Sequence, residues 1–348
     1  MMMENWKKSK KRKWKFHCWM KLNHMQRKRN IIIICLIFCI LVILFVRETG
    51  KDDDTGRVSK ATEVDDDTGR ISKATEADDD NDISLEWGYV TQEDINRIAD
   101  FGNLEKLVFS IFDNEDLDLS PLINLERLEE LDIYTIDCNN LDTAPLAELK
   151  HLKKMHIEGN SYNLNLSFLS ELNQLEEIHI QQRIDNLAVF KNMHELKEIY
   201  LEFVGDTDLS YFRELNKLEK IHIVGSDVRN LEGLSNLTNV KELYMVENKF
   251  DKEMLILDMS VFKEMKGLEE ILLSNFRIED ISPLSENEAL QVITLVHTNV
   301  MDIKPLTKLE QLQVLNVFEN DSVQVEEQAQ RYFTDVKTNI FDRIPYSY

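Results

Sequence analysis

The sequence predicts an α/β solenoid: short coils stacked around a shared core, with a parallel sheet along one face and a single transmembrane helix ahead of them. Three observations carry this expectation. A hydrophobic frame recurs ten times between residues 104 and 319 at nearly constant spacing. A run of sixteen apolar residues, Ile31–Val46, stands near the amino terminus. The residues between, 48–82, contain almost no large apolar side chains.

The chain has 348 residues and a formal net charge of −23, unevenly divided. Residues 1–47 hold 12 Lys and Arg against one acid, Glu4, which leaves 29 bases against 63 acids in the rest. Such asymmetry implies two different environments. As a helix the apolar run spans roughly 24 Å, against a hydrocarbon core of ~30 Å, and Arg29, Asn30 and Arg47 extend it by snorkelling. A cleaved signal peptide is the alternative reading. Against it stand the long leader and the lack of an A-x-A-like site near "VRETG". Residues 31–47 are therefore expected to be an uncleaved signal anchor. With eleven Lys/Arg before the run, the positive-inside rule places residues 1–30 in the cytoplasm and the rest outside. The protein is accordingly expected at the cell membrane as a single-pass protein. The basic stretch "KKSKKRKWK", with Trp6, Trp14 and Trp19, suits anionic lipid headgroups rather than nucleic acid.

Four cysteines form no disulfide framework: Cys18, Cys35 and Cys39 fall before or within the anchor, and Cys138 stands alone beyond it. An external fold without internal disulfides must be stabilised by its core. Next, "DDDTGRVSKATE" from Asp52 recurs as "DDDTGRISKATE" from Asp65. Such a segment cannot bury enough surface to offset its ordering entropy, so residues 48–82 are expected to be a disordered acidic stalk. "DDDTG" lacks the alternate-position ligands and closing Glu of a calcium loop.

The repeated frame is Lxx(L/I/M)x(L/I/F/M/V), starting at Leu104, Leu128, Leu152, Leu175, Leu196, Leu218, Val240, Leu268, Leu290 and Leu312. Its spacing falls in the range of ~20–29 residues that marks leucine-rich repeats, each one strand and a return segment. In the unit from Leu218, Ile221, Ile223, Val228, Leu231, Leu234 and Leu237 all point to an interior that one unit cannot close, so coils must share a core. "DISPL" at Asp280 and "DIKPL" at Asp302 place Pro at the start of the return, where a missing N–H is tolerated. Residues 83–103 are expected to cap the first coil: Thr91 and Asp94 form a capping box, Ile95, Ile98, Ala99 and Phe101 give a helical stripe, and Gly102 can end it. Residues 320–348 are expected to cap the far end, with "VEEQAQRYFTDVKTNIF" as a closing helix that presents Tyr332 and Phe333. The unit from Val240 carries extra residues around "KEMLILD", read as a tolerated loop.

These units resemble the internalin-like leucine-rich repeats of bacterial surface proteins, over about residues 83–348. The resemblance implies a curved right-handed solenoid with the parallel sheet on its concave face. It also implies protein binding on that face and no catalysis by the repeats. The Asn usual at the ninth position survives only at Asn160, Asn248 and Asn320, and no wall-sorting motif follows.

Alternation along a strand buries positions 4 and 6 of each frame and turns positions 3, 5 and 7 outward. Position 3 alternates Lys106, Glu130, Lys154, Glu177, which stabilises neighbouring strands. Position 5 holds His156, His179, Tyr200, His222 and Tyr244 in succession, after Asp132. Position 7 adds Tyr134, Glu158, Gln181 and Glu202. Rings rimmed by acids have the composition of a binding surface, although rings also simply suit strands. His156 and His179 with Glu158 and Glu177 raise a zinc site only weakly, because a flat sheet splays ligands apart; no metal or cofactor is expected. No phosphate loop, GxSxG or HExxH occurs, so no enzymatic activity is expected. The function expected is non-covalent recognition of a protein partner through the concave face. The alternative is a structural component of the envelope that acts by self-association or wall contact.

Overall fold

Each coil opens with a strand because its apolar residues alternate there, and turns back where the alternation stops. Within β8 (Lys220–Ser226), Ile221 and Ile223 are fully buried while Lys220 and His222 face outward. The same pattern builds β3 (Lys106–Phe112), β4 (Glu130–Ile136), β5 (Lys154–Gly159), β6 (Glu177–Ile184) and β7 (Glu198–Val204). Beyond β8 it builds β9 (Glu242–Glu247), β11 (Glu270–Ser274), β13 (Val292–Val296) and β14 (Val314–Phe318). With β1 (Ser72–Glu76), β2 (Ile83–Tyr89) and β15 (Lys337–Phe341) these form one 13-stranded sheet. Pairing is parallel throughout, apart from the antiparallel β1–β2 pair. This computed structural model describes residues 72–76, 83–112, 116–138, 140–159, 164–205, 208–226, 228, 230–247, 254–320 and 323–341, all within one unit, Ser59–Tyr348.

The returns are single 3₁₀ turns, and the sequence specifies them twice over. Pro121, Pro145, Pro283 and Pro305 open four of them, at a position that needs no donor. An Asp or Asn two residues before the turn accepts a backbone N–H, as Asp118 does from Ser120 (2.8 Å), Asp280 from Ser282 (2.8 Å) and Asp302 from Lys304 (2.9 Å). Between strands and returns lies the core. Phe190 and Phe212, both fully buried on neighbouring coils, meet edge-on at 6.1 Å. The strands end on a left-handed residue at one recurring position: Phe203, Gly225, Asn275, His297 and Glu319 all have φ between 49 and 67°.

Both caps differ in part from expectation. Helix α1 (Gln92–Ile98) has the Thr91–Asp94 capping box and buries Ile95 and Ile98. Phe101, however, lies past its end and is 43% exposed. At the far end α2 (Val323–Tyr332) is shorter than expected. Phe333 is buried and Tyr332 exposed. Lys337–Phe341 pairs with β14 as β15 rather than continuing the helix, because a sheet edge offers unpaired backbone donors and acceptors that a further strand satisfies. Similarly, β1 falls within the tract read as disordered stalk and pairs with β2. The extra residues of the Val240 unit contribute β10 (Leu255–Ile256), which pairs with β12 (Phe276–Arg277) as a separate two-stranded sheet.

The expected transmembrane helix requires correction. Among the described residues no helix is long and apolar enough to cross a membrane. The two α-helices hold 7 and 10 residues, or about 10 and 15 Å at ~1.5 Å per residue, half or less of a bilayer core. Residues 31–47 lie outside the described residues, as do 1–30. The described residues therefore form a solenoid, and neither a transmembrane helix ahead of it nor the single-pass membrane localisation is supported.

Close stacking leaves no room for a side chain at several glycines, Gly159 and Gly233 most severely against backbone. A Cβ on Gly233 would lie 1.8 Å from the Leu209 carbonyl oxygen of the preceding coil, whereas one on Gly102 would meet nothing within 4 Å. Gly233→Ala is expected to cost about 2–3 kcal/mol and Gly102→Ala less than ~0.5 kcal/mol, measured by urea denaturation of the two variants.

Candidate functional site

Parallel register that holds from position 3 to position 7 over the middle strands, and shifts only beyond it in β6–β7 and β8–β9, converts each of these frame positions into a column. Position 5 aligns Asp132, His156, His179, Tyr200, His222 and Tyr244 on β4–β9. Position 7 aligns Tyr134, Glu158, Gln181 and Glu202 on β4–β7. All ten candidate residues are thus brought onto one face of six consecutive strands.

The rings form a continuous ladder. Centroid distances are 5.5 Å for Tyr134–His156, 6.0 Å for His156–His179, 5.7 Å for His179–Tyr200 and 5.9 Å for Tyr200–His222. His222 and Tyr244 stack flat, at 4.2 Å and 5°. Edge and offset contacts of this kind are each worth about 0.5–1.5 kcal/mol beyond burial.

Their polar tips follow a rule that links neighbouring strands. His179 Nε2 meets Glu198 Oε1 at 3.2 Å, and His222 Nε2 meets Glu242 Oε1 at 2.8 Å. Tyr244 donates to Glu270. In each case a ring at position 5 reaches the carboxylate at position 3 of the next strand. Tyr200 cannot, because Lys220 occupies that place, and it donates to Glu202 on its own strand. Next to His156 stands Glu177, which Lys154 holds at 2.8 Å. The His156 Nε2 is left 4.0 Å from Glu158, buried and without a hydrogen-bond partner.

Exposure divides the strip. Glu158 and His179 are the open members, with side chains 47% and 40% accessible; Tyr244, expected to be exposed, is 8% accessible. From β9 onward position 5 continues as Leu272, Thr294 and Asn316, all buried. The accessible surface is therefore that of β4–β8.

Charge is equally uneven. At position 3 lysines and carboxylates alternate as ion pairs, Lys106–Glu130, Lys154–Glu177 (2.8 Å) and Lys220–Glu198 (3.0 Å). Glu198 lies between Lys220 and His179, and the hydrogen bond from His179, helped by Lys220, holds its carboxyl at about 2. Position 7 is the opposite case. Burial raises the Glu202 carboxyl, and the negative charge of Glu158 raises it further despite the Tyr200 hydrogen bond. The Tyr200 hydroxyl is likewise pushed up by burial and by Glu202. Burial also raises Asp132, with Lys106 and His156 opposing.

Sequence reasoning overlooked Glu198, Glu242 and Glu270 as ring partners. The signal was present: each Glu stands at position 3 of the coil that follows a His or Tyr at position 5. Among the described residues no group of three or more His, Cys, Asp or Glu could hold a metal ion. Cys138 is fully buried, its Sγ near the carbonyl oxygens of Ile136 (3.3 Å) and Ile111 (3.6 Å).

No protein-family model and no curated protein matches the sequence. Solved structures do. An internalin (inlF) of Listeria monocytogenes is 19% identical, covers 72% of this chain and 84% of that one, and has a TM-score of 0.55. A leucine-rich repeat protein of Leptospira interrogans is 12% identical over 73% of this chain and 81% of its own, TM-score 0.50. The Toll–Spatzle complex of Drosophila matches at 13% identity over 82% of this chain and 41% of that chain, TM-score 0.55. These likenesses show an internalin-like leucine-rich repeat fold.

Glu198 gives the site a measurable acid limit. Its carboxyl is lowered in the fold from 4.5 to about 2, so its contribution is present above pH ~4.5 and lost as pH falls through the folded value. With the side chain 25% accessible, that shift is worth about 3 kcal/mol at ~1.36 kcal/mol per unit. Urea midpoints measured at neutral pH and stepwise down to pH ~2 should fall steeply for the wild type. Glu198→Gln should start lower and lose correspondingly less.

Proposed function

We propose that this chain recognises a protein partner non-covalently through the outer face of its sheet, centred on β4–β8. The observation that carries this reading is the ring ladder from Tyr134 to His222, rimmed by Asp132, Glu158 and Glu202. Clustered rings with a polar rim are the composition in which binding energy concentrates. Hydrogen bonds from His179 and His222 to carboxylates on the next strands fix the rings before any partner arrives, which lowers the ordering cost of association. The Toll–Spatzle structure is a complex on the same fold, and the internalin-like fold supplies the same kind of sheet face.

The test compares full-length protein with a His156→Ala, His179→Ala, Tyr200→Ala variant and with an Ile123→Ala, Met301→Ala control, whose residues are exposed away from the ladder. Extracts of cells that express the protein supply the partner. The ladder variant should lose about tenfold or more in capture, a change of ~1.4 kcal/mol. The control should lose none, with thermal midpoints used to separate binding from folding. Undiminished capture by the ladder variant would overturn the reading. Capture of a second copy alone would favour the structural role instead.

A further inference from the structure

The recognition face carries an unbalanced charge that points to its partner's chemistry. From β3 to β15 neither position 5 nor position 7 contains a lysine or arginine. The nearest cations on that face, at position 3, are occupied: Lys106 by Glu130, Lys154 by Glu177 and Lys220 by Glu198. Glu158 and Glu202 flank Gln181 in one column on alternate strands, which places their backbones about 10 Å apart. Among the described residues no lysine or arginine pairs with either of them. The ring nearest Glu158, His156, stops at 4.0 Å.

This arrangement is costly to the free protein. Two carboxylates held near one another on a partly dry surface repel, and the raised Glu202 carboxyl records both the burial and the charge of Glu158. A positive group between them would relieve both. The phenol ring beside them, Tyr200, tilted against His179 at 5.7 Å, offers a π face that also favours a cation. The solenoid of a second copy is a poor source, since residues 48–348 hold 29 bases against 63 acids and would be repelled on approach.

We infer that the partner presents a cationic segment, one or more lysine or arginine side chains, to the Glu158–Gln181–Glu202 column of β5–β7. This rests on the recognition reading above and narrows it. Asp132, on the adjoining column, extends the acidic track towards β4.

The test uses the full chain and two labelled peptides of equal length, one alternating lysine with serine and the other glutamate with serine. Fluorescence anisotropy is read at about 0.15 M salt, where charges beyond ~8 Å are screened. The lysine peptide should bind and the glutamate peptide should not. Asp132→Asn with Glu158→Gln and Glu202→Gln should weaken lysine-peptide binding by about tenfold. A matched variant that removes the same charge elsewhere, Glu126→Gln with Glu148→Gln and Glu310→Gln, all exposed, should change it by less than about twofold. The single Glu158→Gln, at a half-exposed site, should lose about threefold with an unchanged thermal midpoint. Equal weakening by the two triple variants, or none by the first, would overturn the inference and reduce the effect to bulk charge. In the capture experiment, a ladder-dependent partner that the lysine peptide fails to displace would sink the cationic inference and leave the recognition reading standing. A partner indifferent to the ladder would sink the reading itself.

Discussion

No coil of this protein can bury its own apolar residues, and the spacing and register of the whole solenoid follow from that constraint. A coil's inward side chains form one layer only, and the layer above or below is supplied by its neighbour. The neighbour must therefore lie close and in a fixed register. A backbone ladder enforces both: the N–H of Lys153 donates to the carbonyl of Glu129, Glu176 to Lys153, Lys197 to Glu176 and Glu219 to Lys197, each at 2.7 or 2.8 Å. Because each rung joins equivalent positions, any residue type repeated in the sequence becomes a column in space. The contact between Gly233 and the Leu209 carbonyl shows how little room this spacing leaves.

Columns also explain why carboxylates and rings recur together. Residues stacked at ~4.8 Å meet the same position of the next strand, so like charges repel and unlike charges pair. Lys106–Glu130 and Lys154–Glu177 satisfy this directly. Where two carboxylates succeed one another, as Glu177 and Glu198 do, the second needs another partner. His179 supplies it from the neighbouring column, with Lys220 on the far side. The histidines are thus part of the sheet's electrostatic frame as well as its exposed surface. A ring with both duties is preorganised: its hydrogen bond restricts it in the free protein, and its face remains open.

Much of the fold is legible in the sequence because period and phase survive in every unit. Ten frames, buried positions 4 and 6, and the Thr91–Asp94 box all follow from patterns that short-range chemistry dictates. Less legible were features decided by what a backbone edge meets. "KTNIF" has no stronger strand signal than the residues around it, yet β15 pairs with β14. "SKATE" belongs to a tract too polar for a core, yet it pairs with β2. The site divides the same way. Its columns could be read from spacing, but exposure could not, since Tyr244 and His179 share one slot and differ in what lies beside them. Tyr244 stacks flat on His222 and is covered, whereas His179 meets both neighbouring rings at an angle.

That difference in tilt bears on where recognition is possible. A flat stack such as His222–Tyr244 turns each ring face to its neighbour and leaves only edges for a partner. Angled contacts such as His156–His179, at 73°, keep part of each face available, and faces attract cations and apolar groups alike. The angled section coincides with the strands whose position 7 carries Glu158, Gln181 and Glu202, and it ends where position 7 becomes Val224 and Val246, both buried. Open ring faces and unbalanced carboxylates therefore occupy the same few strands. Neither is demanded by stacking: the buried residues beyond β8 satisfy the same ladder without them. A solenoid needs its inner columns for stability. The outer columns of β4–β8 carry more charge and less burial than that requirement explains, and that excess is the ground on which a recognition role is proposed for them.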